Sequence, residues 1–403
     1  MYHVTSPKGI DGDAFILAPE RVIDGTGEPF PGGTAVRVDR GLIAGVGPLE
    51  TLHPGSVRTF HLKGASLLPG MIDCHGYLSV DPDRPDPMGG MHGEDLVARS
   101  FLAARHLSMD LCSGVTAIRV MGEGAGLDYR ARQAIRDGVI VGPRLLCSGA
   151  PICPSFSHQA APGGGVDGVE GVRTAVRRAV ARGADWIKLV VTGGINAAGD
   201  RATTPLYTEA EVAVGLSEAT TAGVPVAIAA HGGPAVAHAV ALGARTVEHC
   251  ALFEDAELEG VARAGATLTL TLSRFFLPNG IELSGRDVPG VLDRLMRARD
   301  HLAALVPKAV AHGVEVVLGT DNMHGALATD VRLFVELGAD NRTAIRAVTG
   351  TAASAMGIGH ETGRVTPGMR ADLLIVEGDP LTQISDLGRV LAVVTEGRFA
   401  VGP

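Results

Sequence analysis

The sequence predicts an α/β fold, in which a (β/α)8 TIM-like barrel is joined to a small β-sandwich domain built from both ends of the chain. The chain has 403 residues, more than one ordinary domain, and 46% of them are hydrophobic, which is enough for a sizeable core. Its middle alternates apolar strands with amphipathic helices, whereas both ends consist of short β-rich stretches separated by turn residues. These three observations together define the predicted architecture.

The central part contains eight apolar segments, most of them followed by a helical pattern. Continuous apolar strands that alternate with helices are typical of a parallel sheet covered on both faces, and eight such units match a closed barrel. A doubly wound open sheet is the alternative, but no GxGxxG motif follows a strand to support it. The predicted strands are SLLPGMIDCH, VTAIRVM, RLLCSG, WIKLVV, VPVAIAAH, RTVEHC, ATLTLTLS and VEVVLGTD.

The two ends of the chain predict the second domain. Antiparallel strands are indicated by AFILAPERVID, GTAVRVDRGLIAGVG and VRTFHLKG near the start, and by ADLLIVEG and VLAVVTEGRFA near the end. We therefore predict a β-sandwich domain from residues 1–66 and 360–403, and a catalytic barrel over residues 67–359.

Composition and charge exclude several classes of protein. Lys and Arg number 35 against 44 Asp and Glu, and the resulting net charge of −9 argues against nucleic-acid binding, which needs a basic surface. No apolar run reaches the roughly 18 residues of a membrane helix. The five cysteines are scattered without CxxC spacing, as expected in a reducing cytoplasm. We expect a small-molecule substrate and no nucleic-acid or membrane partner, and a homo-oligomer is left open.

Polar side chains occur at the carboxyl ends of several predicted strands, where the loops of a barrel build its active site. His75 ends the first strand, His249 the sixth and Asp321 the eighth. Lys188 lies inside the apolar strand WIKLVV, where a buried ammonium group is strongly disfavoured unless it is paired or neutralised. The alternative is that the aliphatic part of the Lys188 side chain is buried while its ammonium group reaches the mouth of the barrel. Together the four residues favour a functional site at this end of the barrel.

Longer motifs, among them SLLPGMIDCHGYL, DWIKLVVTGG, ARTVEHC, VVLGTD and TPGMRADLLIVEGDPL, run through almost the whole chain. They resemble the amidohydrolase superfamily and, within it, the imidazolonepropionase-like and Xaa-Pro dipeptidase-like branch. The resemblance covers about residues 13–400. It implies a distorted (β/α)8 barrel with a β-sandwich from both termini, and hydrolase chemistry. The fold read from the strand pattern agrees with this implication.

The resemblance also implies metal ligands. In the branch, these are a strand-1 His-x-His pair, a carboxylated strand-4 Lys, one His each from strands 5 and 6, and a strand-8 Asp. Four residues match the set: His75, Lys188, His249 and Asp321.

Two positions depart from the implied ligand set. Tyr77 stands where the second strand-1 His is expected, and Ala229 stands at the strand-5 ligand position. His231 matches the other His of the strand-5 motif. A catalytic zinc site needs about three protein ligands, so two metals are not expected. The sequence leaves two states open: one zinc-like divalent ion on the four matching residues, or no metal.

The leading functional hypothesis is hydrolysis of an amide or cyclic-amide C–N bond, with Asp321 as general acid and base. His249, His231 or Tyr77 would support the oxyanion. The alternative is a metal-independent lyase, isomerase or cyclase that uses Asp321, His75, His249 and Tyr77 as acid–base groups, with Lys188 as an unmodified amine. A third hypothesis is an inactive binding protein on the same fold.

The substrate itself is not readable from the sequence, but four residues are candidates for substrate contacts. Two of them follow strands, namely His158 in the loop after strand 3 and Arg274 after strand 7. His324 lies close to Asp321 in TDNMHG, and Tyr207 lies in the segment TTPLYTEAE.

Overall fold

The computed structural model describes residues 14–84, 91–93, 95–197, 199 and 201–402. The first thirteen residues of the predicted sandwich domain lie outside the described residues. None of the helices within these ranges combines the length and the apolar composition that a bilayer crossing requires.

Strands and helices alternate through the middle of the chain. The strands are β1 (Phe15–Val22), β2 (Thr34–Asp39), β3 (Leu42–Pro48), β4 (Arg58–Pro69), β5 (Met71–Gly76), β6 (Val115–Val120), β7 (Arg144–Cys147), β8 (Ile187–Val190), β9 (Val226–Ala230), β10 (Thr246–His249), β11 (Thr267–Leu270), β12 (Val316–Leu318), β13 (Leu373–Glu377), β14 (Val390–Thr395) and β15 (Arg398–Val401). The helices are α1 (Leu96–Cys112), α2 (Leu127–Arg136), α3 (Gly168–Ala181), α4 (Glu209–Thr221), α5 (Pro234–Ala241), α6 (Asp255–Ala264), α7 (Leu272–Phe276), α8 (Leu283–Gly285), α9 (Val291–Ala311), α10 (Leu327–Glu336), α11 (Asn341–Arg346) and α12 (Gly350–Ala355).

Strands β5 to β12 form a ring of parallel strands. β5–β6–β7 pair as one sheet and β8 to β12 as another. One seam is joined where the Ile152 N–H donates to the Lys188 carbonyl (2.9 Å). The other is joined where the Asp321 N–H donates to the His75 carbonyl (2.7 Å) and the Tyr77 N–H donates to the Asp321 carbonyl (2.9 Å). Each apolar segment predicted as a barrel strand contributes one strand to this ring.

Alternation along a strand decides which side chains point into the barrel. In β8, Ile187 and Leu189 pack outward in the large apolar cluster with the surrounding helices. Lys188 and Val190 therefore face the interior, because successive side chains of a strand point to opposite sides. All four residues are buried, so the strand reads as a continuous apolar run with one charge in it.

The helices begin where the sequence provides capping groups. The Thr208 side chain caps the amino end of α4, and Glu211 accepts from the Thr208 backbone N–H in return. Pro234 is the first residue of α5, a position at which its missing N–H costs no hydrogen bond. Helix α9, by contrast, continues through Pro307, which the sequence pattern would place at a helix boundary.

The small domain contains strands from both ends of the chain, in the order β15–β14–β13–β4–β1–β2–β3. The prediction was a two-layer sandwich, but the strands form one continuous ladder. The reason is β4, whose 12 residues pair with β1 in parallel and, over the last five positions, with β13 in antiparallel orientation. Phe15 of β1 stacks on Phe399 of β15 with ring centroids 5.1 Å apart, so the parts of the ladder on the two sides of β4 pack against each other. One strand thus belongs to both layers.

Candidate active site

A cavity of about 60 Å³ lies at the carboxyl ends of the barrel strands. Six of the residues singled out from the sequence line it: Tyr77, His158, His231, His249, Arg274 and Asp321. Val190, Ala229, Phe275 and Ile281 add apolar surface, and Asn322 adds a polar side chain. The strand-end signal in the sequence therefore identified most of the polar lining.

A second cavity, of about 1170 Å³, lies between the small domain and the amino ends of the barrel strands. Its charged side chains are largely paired with one another. Arg144 donates to Asp372 (3.1 Å), and Arg132 donates to Asp185. It lies away from the loops that follow the strands, where barrels carry their chemistry, so we assign the active site to the smaller cavity.

The backbone at two site residues is unusual. His249 has φ +74° and Asp321 has φ +60°, and Cys250 next to His249 has φ +54°. Residues other than glycine adopt this left-handed region rarely, and such conformations concentrate at functional sites. At Asp321 the conformation is held by the hydrogen bonds across the seam to His75 and Tyr77.

Lys188 is buried beneath Tyr77. Its ammonium group donates to the Tyr77 hydroxyl (3.0 Å) and to the Met121 carbonyl (2.7 Å). Burial lowers the pKa of Lys188 to about 8, although Asp321 and Glu248 favour the charged form. The buried ammonium group of Lys188 is thus hydrogen-bonded to a tyrosine hydroxyl and to a main-chain carbonyl.

Asp321 and Arg274 form an ion pair in the lining of the cavity. Asp321 Oδ2 lies 3.7 Å from Arg274 Nε, and Arg274 Nη1 is buried without a hydrogen-bond partner. Burial raises the pKa of Asp321, opposed by the positive charges of Arg274 and Lys188. Both polar atoms of the Asn322 amide are also buried and unpaired. Unsatisfied buried polar atoms are expensive in a folded protein, and here they surround one small space.

Four histidines form a neutral cluster beside this pair. His249 lies between His75 and His231, with ring centroids 4.6 Å and 5.3 Å away. Burial lowers the pKa of His231 to about 3 and that of His158 to about 4, and it lowers those of His75 and His249 well below the usual range. These rings therefore act as neutral hydrogen-bonding groups at neutral pH. His231 Nδ1 and His158 Nδ1 are buried without partners.

A buried ion pair lies inside the barrel below the histidines. Arg119 of β6 donates to both carboxylate oxygens of Glu248 (2.8 Å each), and Glu248 Oε2 lies 2.7 Å from His75 Nδ1. This pairing was not predicted from the sequence. The signal that singled out Lys188, a charge inside an apolar strand, is also present at Arg119 and Glu248.

Two predicted substrate contacts do not line the cavity. The Tyr207 hydroxyl donates to the Val166 carbonyl (2.8 Å), and the Tyr207 side chain is buried in the core. His324 uses both ring nitrogens, with Asp110 Oδ2 at 3.1 Å and the Val80 carbonyl at 3.2 Å. Both residues serve packing and loop anchoring in this arrangement, because their polar atoms are already occupied.

The residues of the site do not fit the metal centre that the resemblance implied. Tyr77 and Ala229 replace two ligands, and the Lys188 ammonium already donates to the Tyr77 hydroxyl. Across the ranges that the structure describes, no three His, Cys, Asp or Glu side chains are arranged to hold a metal ion. The binuclear ligand set that the resemblance implies is incomplete at Tyr77 and Ala229.

Comparison with known proteins gives a consistent result. The model of the Amidohydrolase family matches residues 66–400. Ochratoxinase from Aspergillus niger is 28% identical over 398 residues, covering 90% of this chain and 81% of the ochratoxinase. Imidazolonepropionase from Salinispora arenicola is 29% identical over 370 residues, covering 85% of each protein.

Solved structures agree at the level of the fold. The crystal structure of A. niger ochratoxinase superposes with a TM-score of 0.86 at 26% identity and covers 98% of this chain and 97% of that one. A Xaa-Pro dipeptidase with bound methionine in its active site gives a TM-score of 0.86 at 24% identity, covering 96% and 100%, and shows the fold alone. The chain belongs to the Amidohydrolase family.

Proposed function

We propose that this protein hydrolyses an amide or cyclic-amide C–N bond in a small molecule. The family and the hydrolase names of its relatives support hydrolysis in general. The observation that carries the proposal is the Asp321 carboxylate in a cavity lined by neutral imidazoles, facing a guanidinium with an unused N–H group. A base and a cationic donor beside each other in the lining of one small cavity are what carbonyl hydrolysis requires.

The proposed reaction begins with a water molecule beside Asp321. The Asp321 carboxylate takes one proton from the water molecule as the water oxygen attacks the carbonyl carbon. The π electrons of the carbonyl group then move onto the carbonyl oxygen. The C–N bond then breaks as Asp321 returns the proton to the leaving nitrogen. The raised pKa of Asp321 suits this exchange, because a general acid and base works best when its pKa is near the working pH.

The negative oxygen needs donors that are already in place. Arg274 Nη1 and the Asn322 amide nitrogen are buried without partners and line the cavity wall. His249 and His231, both neutral, are further donors in the proposal. Such preorganised donors act strongly in a site from which water is excluded. Arg274 and His158, which both line the cavity, are the proposed substrate contacts.

No step of this proposal uses a metal ion. Members of the family usually bind a divalent metal, and the single zinc-like ion on His75, Lys188, His249 and Asp321 stays a prediction. Metal analysis of freshly purified protein, before and after zinc supplementation, measures it directly. Activity that persists in chelator at a metal content below about 0.2 equivalents supports the metal-free mechanism, and activity proportional to bound zinc contradicts it.

The experiment that tests the function is turnover of a panel of N-acyl amino acids and cyclic amides in water labelled with oxygen-18. Hydrolysis places one labelled oxygen in the carboxylate product. We expect Asp321→Asn to abolish this incorporation. Asp128→Asn is the matched control, because Asp128 is a buried carboxylate that does not line the cavity and accepts a hydrogen bond from the Gly149 N–H (2.7 Å). Turnover of no member of the panel by the wild-type protein counts against the proposal.

The second candidate function is a metal-independent lyase, isomerase or cyclase. The Tyr77 hydroxyl beside Lys188 favours it, since this pair can donate a proton where the implied metal set would have ligands. Product that forms without labelled oxygen identifies this class.

The third hypothesis is an inactive binding protein. It predicts that the protein binds small molecules of the panel without turning any of them over. The expected cytoplasmic location and the homo-oligomer stay predictions.

A further inference from the structure

The carboxylate of Glu248 is surrounded by donors inside the barrel. Oε1 accepts from Arg119 Nη2 (2.8 Å), from the Thr269 hydroxyl (3.3 Å) and from the Thr246 hydroxyl. Oε2 accepts from Arg119 Nη2 (2.8 Å) and lies 2.7 Å from His75 Nδ1. Glu248 is completely buried, so these contacts are not shared with bulk solvent.

We propose that Glu248 is a positioning residue that holds His75 in the tautomer protonated at Nδ1, so that the lone pair of Nε2 is presented to the active site. A carboxylate has only acceptors to offer, and the short contact therefore requires a hydrogen on Nδ1. The neutral ring carries one such hydrogen, so Nε2 is left as an acceptor. His75 Nε2 is buried and has no hydrogen-bond partner in the protein.

Arg119 stabilises the buried Glu248 carboxylate inside the barrel. Its guanidinium supplies the charge that a buried carboxylate needs, and it is itself fixed by the Cys74 carbonyl (2.6 Å) and by the Trp186 ring, 4.4 Å from the guanidinium carbon. Cys74 precedes His75 in the chain. The same arginine therefore holds both the carboxylate and the strand that carries the histidine.

The lone pair of His75 Nε2 lies close to the residues that line the cavity. Its ring centroid is 4.6 Å from that of His249, which lines the cavity. An acceptor at this place receives a hydrogen bond from a water molecule or a substrate N–H group, or takes up a divalent ion. The role in turnover rests on the proposed function, whereas the tautomer does not.

Glu248→Gln tests the positioning because it replaces a charged group that offers only acceptors by a neutral amide. With the NH2 group at the place of Oε2, the amide donates to His75 Nδ1, the ring hydrogen moves to Nε2, and the acceptor at the site becomes a donor. With the amide oxygen there, Nδ1 keeps its hydrogen, but the hydrogen bond is no longer made to a charged group. The nitrogen-15 signals of His75 change in both arrangements.

The measurement is nitrogen-15 NMR of protein labelled at histidine, with the His75 signals assigned by comparison with His75→Gln. We expect the wild-type ring to be protonated at Nδ1 and the nitrogen-15 signals of His75 to change in Glu248→Gln. The variant should also lose kcat by about 10–100-fold with little change in KM. A wild-type ring protonated at Nε2 overturns the proposal without any variant, and so do His75 signals that are identical in the wild type and in folded Glu248→Gln.

Glu123→Gln is the matched control. Glu123 is also a completely buried carboxylate paired with an arginine, Arg99, at 2.9 Å. We expect this variant to leave the His75 tautomer unchanged, and a change there would show that the NMR response is not specific to Glu248. If the wild-type ring is protonated at Nδ1, its signals change in Glu248→Gln, and no amide in the panel is hydrolysed by the wild-type protein, the proposed function fails while the positioning role stands.

Discussion

Two carboxylate–arginine pairs in this protein differ in how completely their hydrogen bonds are satisfied. In the Glu248–Arg119 pair, both carboxylate oxygens accept at 2.8 Å, and threonines and a histidine complete the shell. In the Asp321–Arg274 pair, the nearest charged atoms are 3.7 Å apart and one guanidinium nitrogen has no partner. A saturated pair stabilises a frame, whereas an unsaturated pair keeps donors and acceptors for a ligand. One barrel thus holds a pair that stabilises the fold and a pair that we propose to be catalytic.

The largest effect on activity is expected for Asp321→Asn. Asparagine keeps the shape but cannot take a proton from water, so kcat should fall about a thousandfold, which corresponds to about 4 kcal/mol. The free energy of unfolding should change little, because the carboxylate is not part of a saturated network. Steady-state kinetics and urea unfolding measure the two quantities. A variant that retains a tenth of the wild-type kcat would remove Asp321 from its proposed role.

The largest effect on stability is expected for Arg119→Met. This change leaves the Glu248 carboxylate buried without its counter-charge, which costs about 3–5 kcal/mol. Urea unfolding should show the loss, and the double variant Arg119→Met/Glu248→Gln should recover part of it because the buried charge is gone. If the single variant loses less than about 1 kcal/mol, the Glu248–Arg119 pair is not the frame that the comparison describes.

A smaller effect on activity is expected for Arg274→Lys. Lysine keeps the positive charge but not the second guanidinium nitrogen that is free to meet the oxyanion, so kcat should fall about 100-fold or more. Urea unfolding should show a change of less than about 1 kcal/mol. Arg299→Lys, at a partly exposed arginine that donates to the Phe275 carbonyl (2.7 Å), is the control for altered packing on the same side. Equal kcat in Arg274→Lys and the wild type would contradict the oxyanion role.

The smallest effect is expected for His324→Gln and depends on pH. Burial disfavours the charged ring, but Asp110 and the Val80 carbonyl outweigh it and raise the pKa of His324 above its usual value. His106 stacks on His324 at 3.9 Å, and Asp73 adds negative charge nearby. Protonated His324 therefore stabilises the folded protein fully below the pKa that the ring has in the unfolded chain. This stabilisation is lost as the pH rises through the raised pKa of the ring in the folded protein.

Urea unfolding of the two proteins at about pH 5.5 and about pH 9 measures this effect. The free energy of unfolding of the wild type should exceed that of His324→Gln by about 1–2 kcal/mol at the lower pH and by less at the higher pH. A difference that grows with pH would contradict the assignment. A large change in KM with little change in stability would instead restore the substrate contact predicted from the sequence.

The sequence could predict the ring of strands because burial on both faces makes barrel strands continuously apolar. It could also predict that His249 and Asp321 lie near one another at one cavity, since the carboxyl ends of parallel strands share one end of a barrel. It could not predict that Glu248 pairs with Arg119, because a contact between residues 129 positions apart depends on how the ring closes. The left-handed backbone at His249 and Asp321 likewise has no local signal.

The misplacements have equally specific physical causes. Tyr207 and His324 carry polar atoms near the barrel mouth, but their distance from the cavity is set by loops whose course the sequence pattern does not define. The second domain departs from a two-sheet sandwich because β4 is long enough to pair on both sides. Tyr77 and Ala229 were readable as departures from the implied ligands, yet only the structure shows that the Tyr77 hydroxyl rests on the Lys188 ammonium.

The seam between β5 and β12 ties assembly of the fold to assembly of the site. The Asp321 N–H donates to the His75 carbonyl, so the first and last strands of the ring meet at the proposed base. Gly319 allows this approach, because a Cβ there would lie 2.5 Å from the His75 nitrogen. During synthesis, more than 240 residues separate the emergence of these two partners from the ribosome. A nascent chain that stops before the eighth strand has neither a closed ring nor the proposed base.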